Sequence, residues 1–294
     1  MTAFRCATAS RARGDELAGT ASTVRSYLLV EHPGPWGTDA LRDARLPDGL
    51  GDHLQEESRR HRVRVLLVRR PGRRAGDGPT RVVAARAAGV ASWSEAADLD
   101  RIDDVRDLDL AALGAGRSLG LEPEDAPVLA VCTHGRHDAC CAELGRPVAL
   151  ELASGPHAAT VWEASHVGGD RFAGNLVVLP RGLYYGGLDP ESAREVAAAT
   201  ARGEVLLEHL RGRSDLPMAV QAADVGGLPG SGGVRPGREG EGDRSAELGA
   251  AGVVAPVGAD GEDRVLHRFQ AERPSGAEGG EVEVAHVVDP VEGG

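Results

Sequence analysis

Short apolar runs closed by turn residues constrain this chain most. Ser26–Glu31 (SYLLVE) ends at His32, Pro33, Gly34 and Pro35, and Pro127–Cys132 (PVLAVC) is of similar length. Such runs read as buried strands rather than helices. Val63–Val68 (VRVLLV), Arg81–Ala87, Ala159–Ala164 and Leu176–Pro180 extend the series, and Leu183–Gly186 reads as a hairpin-like return. Between them, Leu50–Arg60 and Cys141–Ala153 space their apolar residues near the helical period of about 3.6. Asp189 and Pro190 are an N-cap and first-turn pair that opens a helix through Glu191–Ala201. Glu204–Arg211 reads as a second helix, and Arg69–Pro79, rich in Arg, Gly and Pro, as a loop. Strand, helix, strand, strand, helix is a thioredoxin-like order, and both halves of the α/β pattern fit it.

Aromatic residues make up only 3% of the 294 positions, so Leu, Val and Ala must fill the core. The character changes after Val225. Residues 226–294 hold 17 of the 41 glycines, and from Asp215 onward 15 acidic residues face 6 basic ones, a net of −9. That composition predicts a largely flexible acidic extension, with weak edge strands at Val265–Phe269 and Val282–Val288. With a net charge of −12 the chain lacks the electrostatic footprint of a nucleic-acid binder. No apolar stretch reaches the roughly 18 residues of a membrane span, and the polar N-terminus lacks a secretory apolar region. A cytoplasmic protein is expected.

Four cysteines in a chain of this length are no disulfide framework. Three of them lie together in VCTHGRHDACCAELG, residues 131–145. Cys132 ends a predicted strand, and Cys140 and Cys141 stand at a predicted helix start, where backbone N–H groups favour the metal-binding thiolate. A later segment, WEASHVGGDRFAGNLVVLPRGLYY, offers His166 and Asp170 with three residues between them. Gly168 and Gly169 let its backbone turn closely around a bound group. Cys6 has no ligand-like neighbour in sequence and reads as a small buried hydrophobe. Trp162, Phe172, Tyr184 and Tyr185 read either as cover for the centre or as core.

CTHGRHDACC and SHVGGDRFAGNLVVLPRGLYYG, in this order after the opening FRCATASRARGDELAGTA…YLLVEHPGPWG, resemble the sucrase/ferredoxin-like family, which is related to the thioredoxin-like [2Fe–2S] ferredoxins. The resemblance covers roughly residues 4–224. It implies two thioredoxin-like α/β halves, residues 1–120 and 121–225, the second carrying the cluster loops, followed by the Gly-rich extension 226–294. By resemblance Cys132 is the first cluster ligand, Cys141 the second because Gly145 follows four residues on, His166 the third and Asp170 the fourth. Cys140 is the alternative to Cys141. Relatives with a mixed ligand set carry a second histidine at the fourth place. Asp170 therefore either ligates iron or orients His166, and His134 or His137 could complete the set instead. The implied activity is one-electron transfer or redox sensing with a partner redox protein, without stand-alone catalysis. A structural or regulatory zinc site, and a member that has lost its cluster, are the alternatives. Nothing in the sequence supports glycoside hydrolysis, and the absence of C-x-x-C argues against a thioredoxin-type reductase.

Overall fold

The computed structural model describes residues 4–72 and 78–226. The predicted extension with its edge strands lies outside the described residues apart from Gly226, as does part of the Arg69–Pro79 loop. The described strands are β1 (Ser26–Glu31), β2 (Val63–Arg69), β3 (Thr80–Arg86), β4 (Trp93–Leu99), β5 (Glu122–Pro123), β6 (Val128–Cys132), β7 (Val161–Ala164), β8 (Leu176–Leu179), β9 (Leu183–Tyr185) and β10 (Leu210–Arg213). They form one mixed sheet in the order β10-β9-β8-β6-β7-β2-β1-β3-β4-β5. The helices are α1 (Cys6–Arg13), α2 (Ala40–Asp43), α3 (Leu50–His61), α4 (Leu110–Gly114), α5 (Ala139–Ser154), α6 (Pro190–Ala201) and α7 (Met218–Gly226).

The apolar runs are strands because both of their faces are covered. Tyr27 and Leu29 of β1 join Val128, Ala130 and Cys132 of β6 in one core. Leu28 and Val30 face the other way, onto Leu50 and Leu54 of α3 and Leu110 and Leu113 of α4. Leu129 and Val131 of β6 likewise turn onto Val148 and Leu152 of α5 and Val196 of α6. The Tyr27 and Tyr184 hydroxyls lie 3.4 Å apart. Their strands, β1 and β9, are five places apart in the order, which in a flat sheet means roughly 24 Å at about 4.8 Å per step. The sheet is therefore curled, and the first core is enclosed by strands of both its arms.

Two pairs are parallel, β1 with β2 and β6 with β7. In one arm the order is β2-β1-β3-β4 and in the other β7-β6-β8-β9, with β3 and β8 each antiparallel to the strand that starts its arm. The arms meet where β2 pairs antiparallel with β7 through Val68↔Ala164 and Arg69↔Glu163.

Asp189 caps α6 as predicted, accepting from the Ser192 N–H, with Pro190 in the first turn. One predicted element is different. Glu204–Arg211 is not a helix: Leu210–Arg213 pairs with β9 as β10. The helical spacing of its leucines is overruled by tertiary bonding, because the strand places the Arg211 guanidinium in the interior. There it donates to Asn175 Oδ1 at 2.8 Å, to the Gly168 carbonyl at 3.0 Å, and to Thr20. β4 and α1 were not legible in the apolar pattern. Among the described residues no helix is long and apolar enough to cross a membrane.

Candidate metal centre

The centre lies where the parallel strands β6 and β7 end. Cys132 is the last residue of β6, and its N–H is held by the Asn175 carbonyl. Asp138 then caps α5, its Oδ1 accepting from the Cys140 N–H at 2.7 Å. The first turn of α5 carries Cys140 and Cys141. Beyond β7, Gly168 and Gly169 adopt positive φ of 100° and 85°, which suits glycine, and a 3₁₀ turn begins at Asp170. These turns fold the His166–Asp170 segment over the two cysteines.

The Cys132 and Cys141 sulfurs and a nitrogen of His166 all lie within 4.8 Å of one another. His166 Nδ1 is 4.0 Å from each sulfur. Asp170 Oδ1 is 3.1 Å from the same nitrogen and 3.9 Å from the Cys141 sulfur. Both sulfurs are buried, while the His166 and Asp170 side chains are 22% and 34% exposed. The group thus has a buried thiol side and an open imidazole–carboxylate side.

The two thiols share a proton unequally. A hydrogen bond from Cys141 holds the Cys132 thiol well below its usual range despite complete burial, with His166 helping. The same bond, followed by burial, pushes Cys141 up. A bound cation would displace the thiol protons.

Two further histidines adjoin the group in different roles. His134 has both ring nitrogens committed. Nδ1 accepts from the His166 N–H at 3.2 Å, and Nε2 faces the Gly37 carbonyl at 2.8 Å. One ring nitrogen accepts and the other donates, so the ring is neutral, and burial lowers its pKa further. His134 positions His166 and ties the centre to the loop after β1. His137 stacks on His166 with ring centroids 3.9 Å apart and forms a second possible donor group with His166 and Asp170. His137 is exposed.

Cys140 points away from this group. Its sulfur lies 3.5 Å from that of Cys6, which in turn is 3.6 Å from Asp138 Oδ2. These three form a separate set of potential metal donors.

A family model described as sucrase/ferredoxin-like matches residues 17–212. The chain belongs to the sucrase/ferredoxin-like family. Comparison with curated proteins and with solved structures gave no match. The match takes in both sequence segments of the centre but begins after Cys6. For this sucrase/ferredoxin-like chain the structure therefore brings together Cys132, Cys141, His166 and Asp170 and leaves out Cys140. The reading of Cys6 as an isolated hydrophobe is corrected: it has two potential ligands for neighbours, both more than 130 positions away in sequence. His134 as a positioning residue was also missed. The only signal was its place in THGRH between the cysteines. Trp162, Phe172, Tyr184 and Tyr185 are all buried.

Proposed function

We propose that this protein is a [2Fe–2S] electron-transfer or redox-sensing protein, with Cys132, Cys141, His166 and Asp170 as the ligands. The observation that carries the reading is that the two buried thiols and a ring nitrogen of His166 lie within 4.8 Å of one another at the ends of β6 and β7, with Asp170 Oδ1 3.1 Å from His166 Nδ1 and 3.9 Å from the Cys141 sulfur. The residues fit the group chemically. Paired thiolates are the usual holders of iron–sulfur centres, and imidazole replaces thiolate in mixed sets. When bound, the cluster supplies a one-electron couple. Cys132 and Cys141 would hold its buried side. The orientation of the Cys140 sulfur toward Cys6 favours Cys141 as the second ligand.

His166 and Asp170 form the side nearest solvent, and the His137 ring stacked on His166 widens that edge. We assign this edge to contact with a redox partner protein. Exchanging one thiolate for neutral imidazole removes negative charge and favours reduction, while a carboxylate at the fourth place returns part of it. The expected potential lies between roughly −400 mV for an all-cysteine centre and roughly −150 mV, the lower end of the Rieske range. Protonation of an imidazole ligand upon reduction would make it pH-dependent.

The matching strand orders of the two arms favour two thioredoxin-like halves, 1–120 and 121–225; with the extension 226–294 they would make up a cytoplasmic carrier. The compact donor group suits a single zinc ion as well, and colour separates the two. The test is anaerobic purification with iron, sulfide and zinc analysis, visible spectra, and electron paramagnetic resonance of the reduced protein. We expect iron and sulfide in equal amounts. C132S, C141S and H166A should lose the visible bands while C140S keeps them. Zinc without iron, or no iron after reconstitution, rejects the reading.

A further inference from the structure

We propose that Cys6, Cys140 and Asp138 form a second metal site, which takes one zinc-type divalent cation and is separate from the Cys132 centre. The two sulfurs are 3.5 Å apart, and Asp138 Oδ2 is 3.6 Å from the Cys6 sulfur. All three donor atoms lie within 4.8 Å of one another. A tetrahedral zinc ion with Zn–S of about 2.3 Å and Zn–O of about 2.1 Å sets neighbouring sulfurs about 3.8 Å apart and sulfur–oxygen pairs about 3.6 Å apart. The donors already stand close to that spacing.

The fold holds each donor in place. Cys140 is buried in the first turn of α5. Asp138 uses Oδ1 to cap that helix, which leaves Oδ2 directed at Cys6. Cys6 begins α1, and α1 is docked by Arg5, whose guanidinium bonds both carboxylate oxygens of Glu143 at 2.7 and 2.6 Å, and by Arg11 on the Ala173 carbonyl. Arg5 is thus engaged with Glu143 rather than with Asp138. Without a cation the Cys6 thiol keeps its proton, which burial and the Cys140 and Asp138 neighbours hold on it, and a bound cation would displace that proton. Thiolate donors select a soft cation over calcium or magnesium. Cys6 and Asp138 also line a cleft of about 500 Å³. The cleft gives an entry path and leaves a fourth coordination position open to water.

The test uses the full-length protein, reduced and stripped of metal, with cobalt(II) alone as the probe. Wild type and C132S/C141S should each show thiolate-to-cobalt charge-transfer absorption, the latter at one ion per chain. Adding C6S or D138N to C132S/C141S should weaken that binding by more than about 100-fold, beyond the cost of losing an outer-shell partner. C6S alone should keep the spectrum of the Cys132 centre. If C132S/C141S does not fold, native mass spectrometry of zinc-loaded wild type against C6S decides, with one ion fewer expected in C6S. Equal metal content in the two overturns the site. So does a Cys6–Cys140 disulfide that, once reduced, leaves a chain taking up no metal beyond the Cys132 centre. Neither result bears on whether that centre holds iron.

Discussion

His32 and His134 both spend their two ring nitrogens on backbone groups. In His32, Nδ1 accepts from the Gly34 N–H at 3.1 Å and Nε2 meets the Arg45 carbonyl at 3.2 Å. That arrangement needs the neutral ring, because a second ring N–H would face a backbone N–H. Burial holds the pKa of His32 below its ordinary 6.5. The unfolded chain therefore takes up a proton first as pH falls. The stability from neutral His32 is full above about pH 6.5 and is lost as pH drops through that value toward the lower folded pKa. Thermal unfolding between about pH 7 and about pH 5 should show a falling midpoint, and H32Q should flatten part of that slope. An unchanged slope in H32Q would reject this account. At this scale the sequence identified Cys132, His166 and Asp170 as neighbours in chemistry. By resemblance it favoured Cys141 and kept Cys140 as the alternative; adjacent residues on a helix point about 100° apart, and packing decides which one faces inward.

Helix α5 has to approach β6 closely for Cys141 to reach Cys132. Gly145 allows it: a Cβ at this position would collide with the Cys132 carbonyl oxygen. The glycine four residues after Cys141 is thus a contact requirement, one turn down the helix from the thiol. G145A should push α5 away from β6 and lower stability by about 2 kcal/mol, the scale of overpacking a tight contact. Urea denaturation measures the loss, and the visible bands of the proposed cluster should weaken with it. Wild-type stability in G145A would mean that α5 does not pack as described. Elements with local signals were legible, as with the Asp189 cap of α6. Leu210–Arg213 was not, because it is a strand through its pairing with β9, and its Arg211 side chain is held by Thr20, Gly168 and Asn175, all distant in sequence.

Among the described residues the curled sheet is continuous across its two arms only through β2 and β7. At that junction Arg69 pairs with Glu163 at 2.6 Å, and Glu163 also accepts from the Thr133 hydroxyl at 3.1 Å. The Glu163 side chain is 9% exposed. Thr133 follows Cys132 directly, so the junction abuts the candidate metal centre. Removing Arg69 leaves a buried carboxylate without its cation, at a cost of about 3 kcal/mol. R69A should lower the thermal midpoint while unfolding remains a single transition, since the first core is shared by both arms. Two separated transitions in the wild type would contradict a shared core.

The strand runs, the cap of α6, the family motifs and the donor types were determined by sequence alone, because each rests on residues within about one turn or one strand of each other. The tertiary structure decided which cysteine joins His166, that His134 is held neutral as a positioning residue, and that Cys6 stands beside Cys140 and Asp138. Those outcomes depend on how closely α5 and α1 pack and on where the sheet curls. Contacts between residues 25 to 134 positions apart leave no trace in local periodicity.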